Sequence, residues 1–117
     1  GDTPEWAQSQ AKLSQMGEGD FKRLQEEQEA LAKALVAARD AGVEPGSEEA
    51  EALVERHRAS IAQWYDVTPA RQLILARMYV GDDRFHAAYD GAQDYLLELV
   101  TAHAQSNGVD VDNPQWD

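Results

Sequence analysis

Apolar residues recur at three- and four-residue steps through most of the chain, and no segment alternates apolar and polar residues with a period of two. A helix turns every 3.6 residues, whereas successive side chains of a strand point to opposite faces, so this pattern calls for helices. From Asp20 to about Ala41, Phe21, Leu24, Gln28, Leu31 and Leu35 form one stripe with Val36 beside it. After Ser47, a second stripe runs through Ala50, Val54, His57, Ile61 and Trp64, flanked by Leu53 and Tyr65. The expected fold is an all-α domain of about five helices without an internal repeat.

The punctuation divides the helices. Pro4 suits the first turn of a helix over residues 4–16, where its missing N–H costs least. Trp6, Leu13 and Met16 are the only large apolar groups of that helix, so it must dock on something to persist. Gly17 and Gly19 break it, and Asp20 is the expected N-cap of the next helix. Gly42 and the Pro45-Gly46 pair make a loop. Ser47 caps the third helix, and Glu48, Glu49 and Glu51 match its dipole. Thr68-Pro69 restarts a helix carrying Leu73, Ile74, Leu75, Met78 and Tyr79. Gly81 ends it. Asp82 is expected to cap a last long helix with Phe85, Ala88, Tyr89, Leu96, Leu99, Val100 and His103 inward. Gly91 costs roughly 1 kcal/mol inside a helix relative to alanine, so a bend or break is expected near it. From Gln105 onward the sequence QSNGVDVDNPQWD is polar and turn-rich. The expected organisation is a single domain over residues 1–117, with a first helix at 4–16, a helical core at 20–104 and a flexible tail at 105–117.

A chain of 117 residues is long enough to bury about two-thirds of its unfolded surface in one core. It has no cysteine, which removes disulfides, thiolate metal sites and thiol nucleophiles. A formal charge of −12 repels phosphate backbones and anionic membranes, so no direct nucleic-acid contact is expected of this domain. No apolar run approaches the ~18 residues of a membrane span, and a soluble, cytoplasmic protein is expected. The first residue is Gly1, which leaves a processed terminus or a fragment of a longer protein open.

Catalytic arrangements are absent from the sequence. It holds no glycine-rich phosphate loop, no nucleophile elbow and no His-Glu-x-x-His. His57, His86 and His103 are dispersed, none at helical metal-pair spacing, so neither metal nor cofactor is expected. His57 could work as a general base with Asp66 only if the fold joined them. A lone histidine on an apolar stripe is more often a hydrogen-bonded core residue. Glu48, Glu49, Glu51 and Glu55 read as a solvated, dipole-matched face.

Trp64, Tyr65, Met78, Tyr79, Phe85 and Tyr89 leave two readings open. Small helical bundles favour Leu and Ala inside, and buried Trp and Tyr need polar partners. With His57 and Asp66 as polar points, the set has the composition of a ligand pocket. The same residues could equally be a helix–helix core, towards which Phe85 leans.

These segments carry a family resemblance. WAQS at Trp6, DFKRLQ at Asp20, DAGVEPGSEEA at Asp40, RHRASI around His57, WYD at Trp64 and MYVGDDRF from Met78 together resemble the TipAS antibiotic-recognition domain. The similarity is nearly colinear from Gly1 to about Ala104. That domain is the C-terminal effector half of certain transcriptional regulators of the MerR class. The resemblance implies a compact, globin-like helical fold without haem. It also implies a cleft, lined by the region from His57 to Tyr89, that takes bulky hydrophobic antibiotics of thiopeptide or albicidin type. N-terminal helices would order over the drug as a lid.

Ligand contacts are accordingly expected at Trp6, His57, Ile61, Trp64, Tyr65, Asp66, Ile74, Met78, Tyr79, Phe85 and Tyr89. Where the family's thiopeptide-binding prototype has two cysteines, one of which captures the drug covalently, this chain has Val67 and Ile74. Binding is therefore expected to be reversible. The implied role is a drug sensor for transcription, with DNA binding in a separate N-terminal domain, or a drug-sequestering resistance protein. The alternative is a protein-interaction module whose aromatic groove takes an amphipathic helix. An enzyme is not expected.

Overall fold

Three helix starts are set by hydroxyl caps. In the computed structural model, which describes residues 3–117, the Thr3, Ser47 and Thr68 side chains accept the backbone N–H groups of Trp6, Ala50 and Arg71 at 3.1, 3.2 and 3.1 Å. Each cap satisfies a donor that helix geometry leaves orphaned. The described residues form six helices and no strand: α1 (Pro4–Ser14), α2 (Glu18–Asp40), α3 (Glu48–Ala62), α4 (Pro69–Val80), α5 (Arg84–Ala88) and α6 (Gln93–Ser106).

Three boundaries differ from expectation, each for a local reason. Asp83, not Asp82, stands at the cap of α5, while the Asp82 carboxylate accepts the Arg84 N–H at 3.0 Å. Asp20 does not cap α2 but sits inside its first turn, where its carboxylate accepts the Gly17 N–H at 3.0 Å. The reaching-back half of a capping box thus starts the helix earlier, at Glu18. The expected long last helix is two helices. Asp90 and Gly91 adopt φ values of 51° and 80°, a left-handed pair that no continuous helix accommodates. Six helices therefore replace about five. The break frees α5 to pack on α4 and α2. Ala88, expected to face inward, is exposed instead, and its carbonyl accepts the Gln28 side-chain amide at 3.0 Å.

The core lies where α4 crosses α6, the most extensive helix pair, with α3 and α2 closing it from the other side. Leu35, Leu73, Leu96, Leu99, Val54 and Val100 are fully buried there, each large aliphatic side chain contributing about 1.5–3 kcal/mol by leaving water. Ala32, Ala76, Ala92 and Ala104, also buried, let the helix axes approach closely. His103 Nδ1 of α6 lies 2.8 Å from Glu51 of α3.

Helix α1 buries none of its residues. It is held by a Glu5–Arg71 ion pair of 2.8 Å and by Gln8, whose side-chain oxygen accepts the Asp66 N–H at 3.3 Å. The segment after α6, expected to fray, folds back on the domain. Gly108 takes φ 81°, the Val109 N–H returns to the Ala104 carbonyl at 3.0 Å, and Val109 and Val111 pack against the core. Arg77 donates to the Val111 carbonyl. Arg71 donates to the Trp116 carbonyl at 2.7 Å and lies 5.1 Å from the centre of its ring. Apolar valines and arginine donors able to reach chain carbonyls outweigh the turn-rich composition here. No helix among the described residues is long and apolar enough to cross a membrane.

Candidate ligand cleft

Four helices meet around one opening. The α2 stripe brings Leu24 and Gln28 to one side, and the end of α3 supplies Ser60, Ile61 and Gln63, followed by Trp64 and Tyr65. Leu75, Met78 and Tyr79 come from α4, and Phe85 and Tyr89 from α5 and its C-terminal end. The cavity they enclose measures about 410 Å³, within the range usual for small-molecule sites. Seven residues expected from the sequence stand on this wall: Ile61, Trp64, Tyr65, Met78, Tyr79, Phe85 and Tyr89. Tyr79 is the centre of an aromatic cluster, its ring 4.4 Å from Phe85 and 5.4 Å from Tyr89, tilted by 33° and 28°. Such near-parallel offset rings are a favourable arrangement. The α5–α6 break makes this cluster possible, because it releases Phe85 and Tyr89 from the direction of α6.

His57 lies beneath the wall, not on it. It is fully buried, with Nδ1 2.8 Å from the Gln72 amide nitrogen and Nε2 3.4 Å from the Tyr79 hydroxyl. The same Gln72 nitrogen donates to the Val54 carbonyl at 2.9 Å. Burial pulls the His57 pKa down to about 4, since a charged imidazolium has no compensating partner there. The Tyr79 hydroxyl is pushed upward, by burial first and then by neighbouring Tyr89, and Tyr89 is raised by burial. All three groups are neutral at ordinary pH. Neither ring nitrogen of His57 contacts Asp66, so the general-base pair weighed from the sequence does not form.

The family model of the TipAS antibiotic-recognition domain matches residues 1–103. This chain belongs to the TipAS family. The chain is 35% identical over 109 residues to the HTH-type transcriptional activator TipA of Streptomyces coelicolor and to that of Streptomyces lividans, a match covering 89% of this chain and 43% of each relative. It therefore spans less than half the length of the curated relatives it matches. It also resembles the solved structure of TipAS in complex with nosiheptide, from a thiopeptide antibiotic multidrug resistance system of Streptomyces lividans. That likeness has a TM-score of 0.79 and 32% sequence identity, and covers 92% of this chain and 78% of the other.

Three of the expected contact residues stand away from this cleft wall. Trp6 is 51% exposed on α1. Asp66 is exposed in the α3–α4 turn, where its backbone carbonyl accepts from Arg71 at 2.8 Å. Ile74 is half-buried on α4 and does not line the cleft, whereas Leu75 does. Sequence reasoning missed Leu24, Glu27, Gln28, Ser60, Gln63 and Leu75 as lining residues. One signal pointed to Gln28: a polar side chain at a stripe position between Leu24 and Leu31 marks where the apolar face stops being core. For Ser60 and Gln63 there was none, because polar residues at a helix end are ordinary.

Proposed function

We propose that this domain binds a bulky, largely apolar antibiotic, of thiopeptide or albicidin type, reversibly in the cleft between α2, α3, α4 and α5. The observation that carries this reading is the aromatic-walled cavity of about 410 Å³ on a chain of the TipAS family. Met78 is 52% exposed, and Trp64 and Tyr65 are only partly buried. These groups therefore retain apolar surface for a ligand to cover. A cleft of this size takes in part of a bulky drug, and α1 is the element that closes over the remainder. Trp6 and Leu13 leave 51% and 41% of their surface open, with only edge contacts holding the helix. No thiol is available in this chain, so shape, stacking and hydrogen bonds hold the ligand. We propose Ile61, Trp64, Tyr65, Met78, Tyr79, Phe85 and Tyr89 as direct contacts and Trp6 as a lid contact. Recognition rather than catalysis is the function, with the bound state read out by a DNA-binding segment in the full-length regulator, or with the drug simply sequestered.

A thermal-shift and tryptophan-fluorescence titration with nosiheptide and albicidin tests the reading. A ligand at a hundred times its Kd adds about 2.7 kcal/mol to a folded state it binds exclusively. A rise in Tm together with a change in Trp64 emission supports the proposal, and a flat response to the whole panel refutes it.

A further inference from the structure

The hydrogen bonds under the cleft have a direction that can be traced from their buried end. Gln72, fully buried on α4, sets its amide nitrogen 2.9 Å from the Val54 carbonyl oxygen and 2.8 Å from His57 Nδ1. A carbonyl oxygen can only accept, so the NH2 end faces Val54. The reversed amide would hold two oxygens at the 2.9 Å separation. The second amide proton then goes to Nδ1, which must carry a lone pair rather than a hydrogen. His57 is neutral, so its one proton sits on Nε2, and Nε2 donates to the Tyr79 oxygen 3.4 Å away. This orientation is kept even though it leaves Gln72 Oε1 buried without a partner. Tyr79 therefore receives a hydrogen bond from below and must direct its own proton away from His57; its side chain is one of those lining the cleft. The Tyr89 hydroxyl is the neighbour placed to share that proton, and a ligand acceptor would compete with it.

We propose that Gln72 and His57 are positioning residues that hold the Tyr79 hydroxyl as a hydrogen-bond donor to the ligand. The cleft floor then selects an aromatic group carrying an acceptor, such as a heteroaromatic nitrogen or an amide carbonyl, over one carrying an N–H. This rests on the cleft being the ligand site. It assigns chemistry to a specific atom of that site.

Two measurements on the full chain test it. Long-range proton–nitrogen NMR of the histidine side chains is expected to show His57 protonated at Nε2 and bare at Nδ1, with Gln72→Leu releasing a mixture of tautomers. Three probes of similar size, quinoline with an acceptor, indole with a donor and naphthalene with neither, are then titrated. Quinoline is expected to bind about fivefold tighter than naphthalene, the size of one net hydrogen bond, and indole more weakly than either. Tyr79→Phe, confirmed folded by circular dichroism, brings quinoline down to the naphthalene level, and Gln72→Leu narrows the same gap. A proton found on Nδ1, or indole binding as tightly as quinoline, overturns the inference while leaving the cleft reading intact. Failure of all three probes to bind while nosiheptide still binds overturns the inference alone, and failure of nosiheptide as well overturns both.

Discussion

Acidifying the protein from pH 7.5 to pH 5 should remove about 2 kcal/mol of stability through His57 alone. The folded pKa is about 4 against an ordinary value of 6.5. Between those values the unfolded chain binds a proton that the folded chain refuses, so stability rises with pH across this window and is lost as pH falls. At pH 5 the unfolded imidazole is almost wholly charged while the folded one is about nine-tenths neutral, a factor of about 30 in the folding equilibrium. With an unfolding entropy of about 2.1 cal/mol/K per residue, the same loss lowers Tm by roughly 8 °C. The three carboxylates with lowered pKa values act below this window. Asp82, held down chiefly by its side-chain hydrogen bond from Arg84, together with Asp20 and Glu55, has a lowered pKa. Their contributions are therefore present above the ordinary carboxylate range and fade only at lower pH. Urea unfolding followed by circular dichroism across this pH range measures the effect. A His103→Gln background removes the histidine that touches a carboxylate. In that background His57→Leu should abolish the slope, whatever it does to absolute stability. A flat profile in the His103→Gln protein, or the same slope once His57→Leu is added, would refute the account of a neutral, buried His57.

Other substitutions separate wall from core and test the joints. Trp64→Ala and Met78→Ala should weaken nosiheptide binding at least tenfold while shifting Tm by only a few degrees, since Met78 is 52% exposed and Trp64 is only partly buried; parallel titration and melting curves check this. Gly91→Ala should destabilise by about 1 kcal/mol or more in urea unfolding, because alanine resists a positive φ and its Cβ would lie 3.1 Å from the His86 ring. Arg71→Ala breaks the links to Glu5, Asp66 and Trp116 together, and should raise protease sensitivity in α1 and the tail while leaving α2 to α6 folded.

Most of the architecture was legible from spacing and caps, because those features act through neighbours in sequence. Ser47, Thr68 and the two prolines placed helix starts directly, and the α2 and α3 stripes named Leu31, Leu35, Ala50, Val54, His57 and Ile61, which are buried, although Phe21 at the start of the α2 stripe stays 45% exposed. The hidden parts depend on distant partners. Asp20 competes for the Gly17 N–H in a way that only a folded first turn reveals. The tail looked solvated because the arginines that hold it, Arg71 and Arg77, lie on α4. At the cleft, large aromatics advertised themselves by type, while Ser60, Gln63 and Leu75 acquire a role only from where α3 and α4 end relative to α2. Asp66 and Ile74 illustrate the converse. Proximity in sequence to the wall did not put them on it, since one turns out with the α3–α4 loop and the other occupies the neighbouring position on the helix to Leu75.

The choice between core and pocket, open from the sequence, dissolves in the geometry of Tyr79 and Tyr89. They are 7% and 5% exposed and belong to the packed core, yet both also form part of the cleft wall. A side chain can do both when its ring is fixed by packing on one side and its remaining face borders the cavity. The physical benefit is preorganisation: rings already locked by Phe85, His57 and one another lose little freedom when a ligand stacks on them. The outer residues Trp64, Tyr65 and Met78 are less confined and can adapt to different shapes. A rigid floor with a directed donor and a more adaptable rim would let one cleft discriminate at its base while tolerating variety in the rest of a large ligand. Substitutions should therefore divide by depth: loss of Tyr79 or Tyr89 lowers both stability and affinity, whereas loss of Met78 or Trp64 acts mainly on affinity and changes which ligands are accepted.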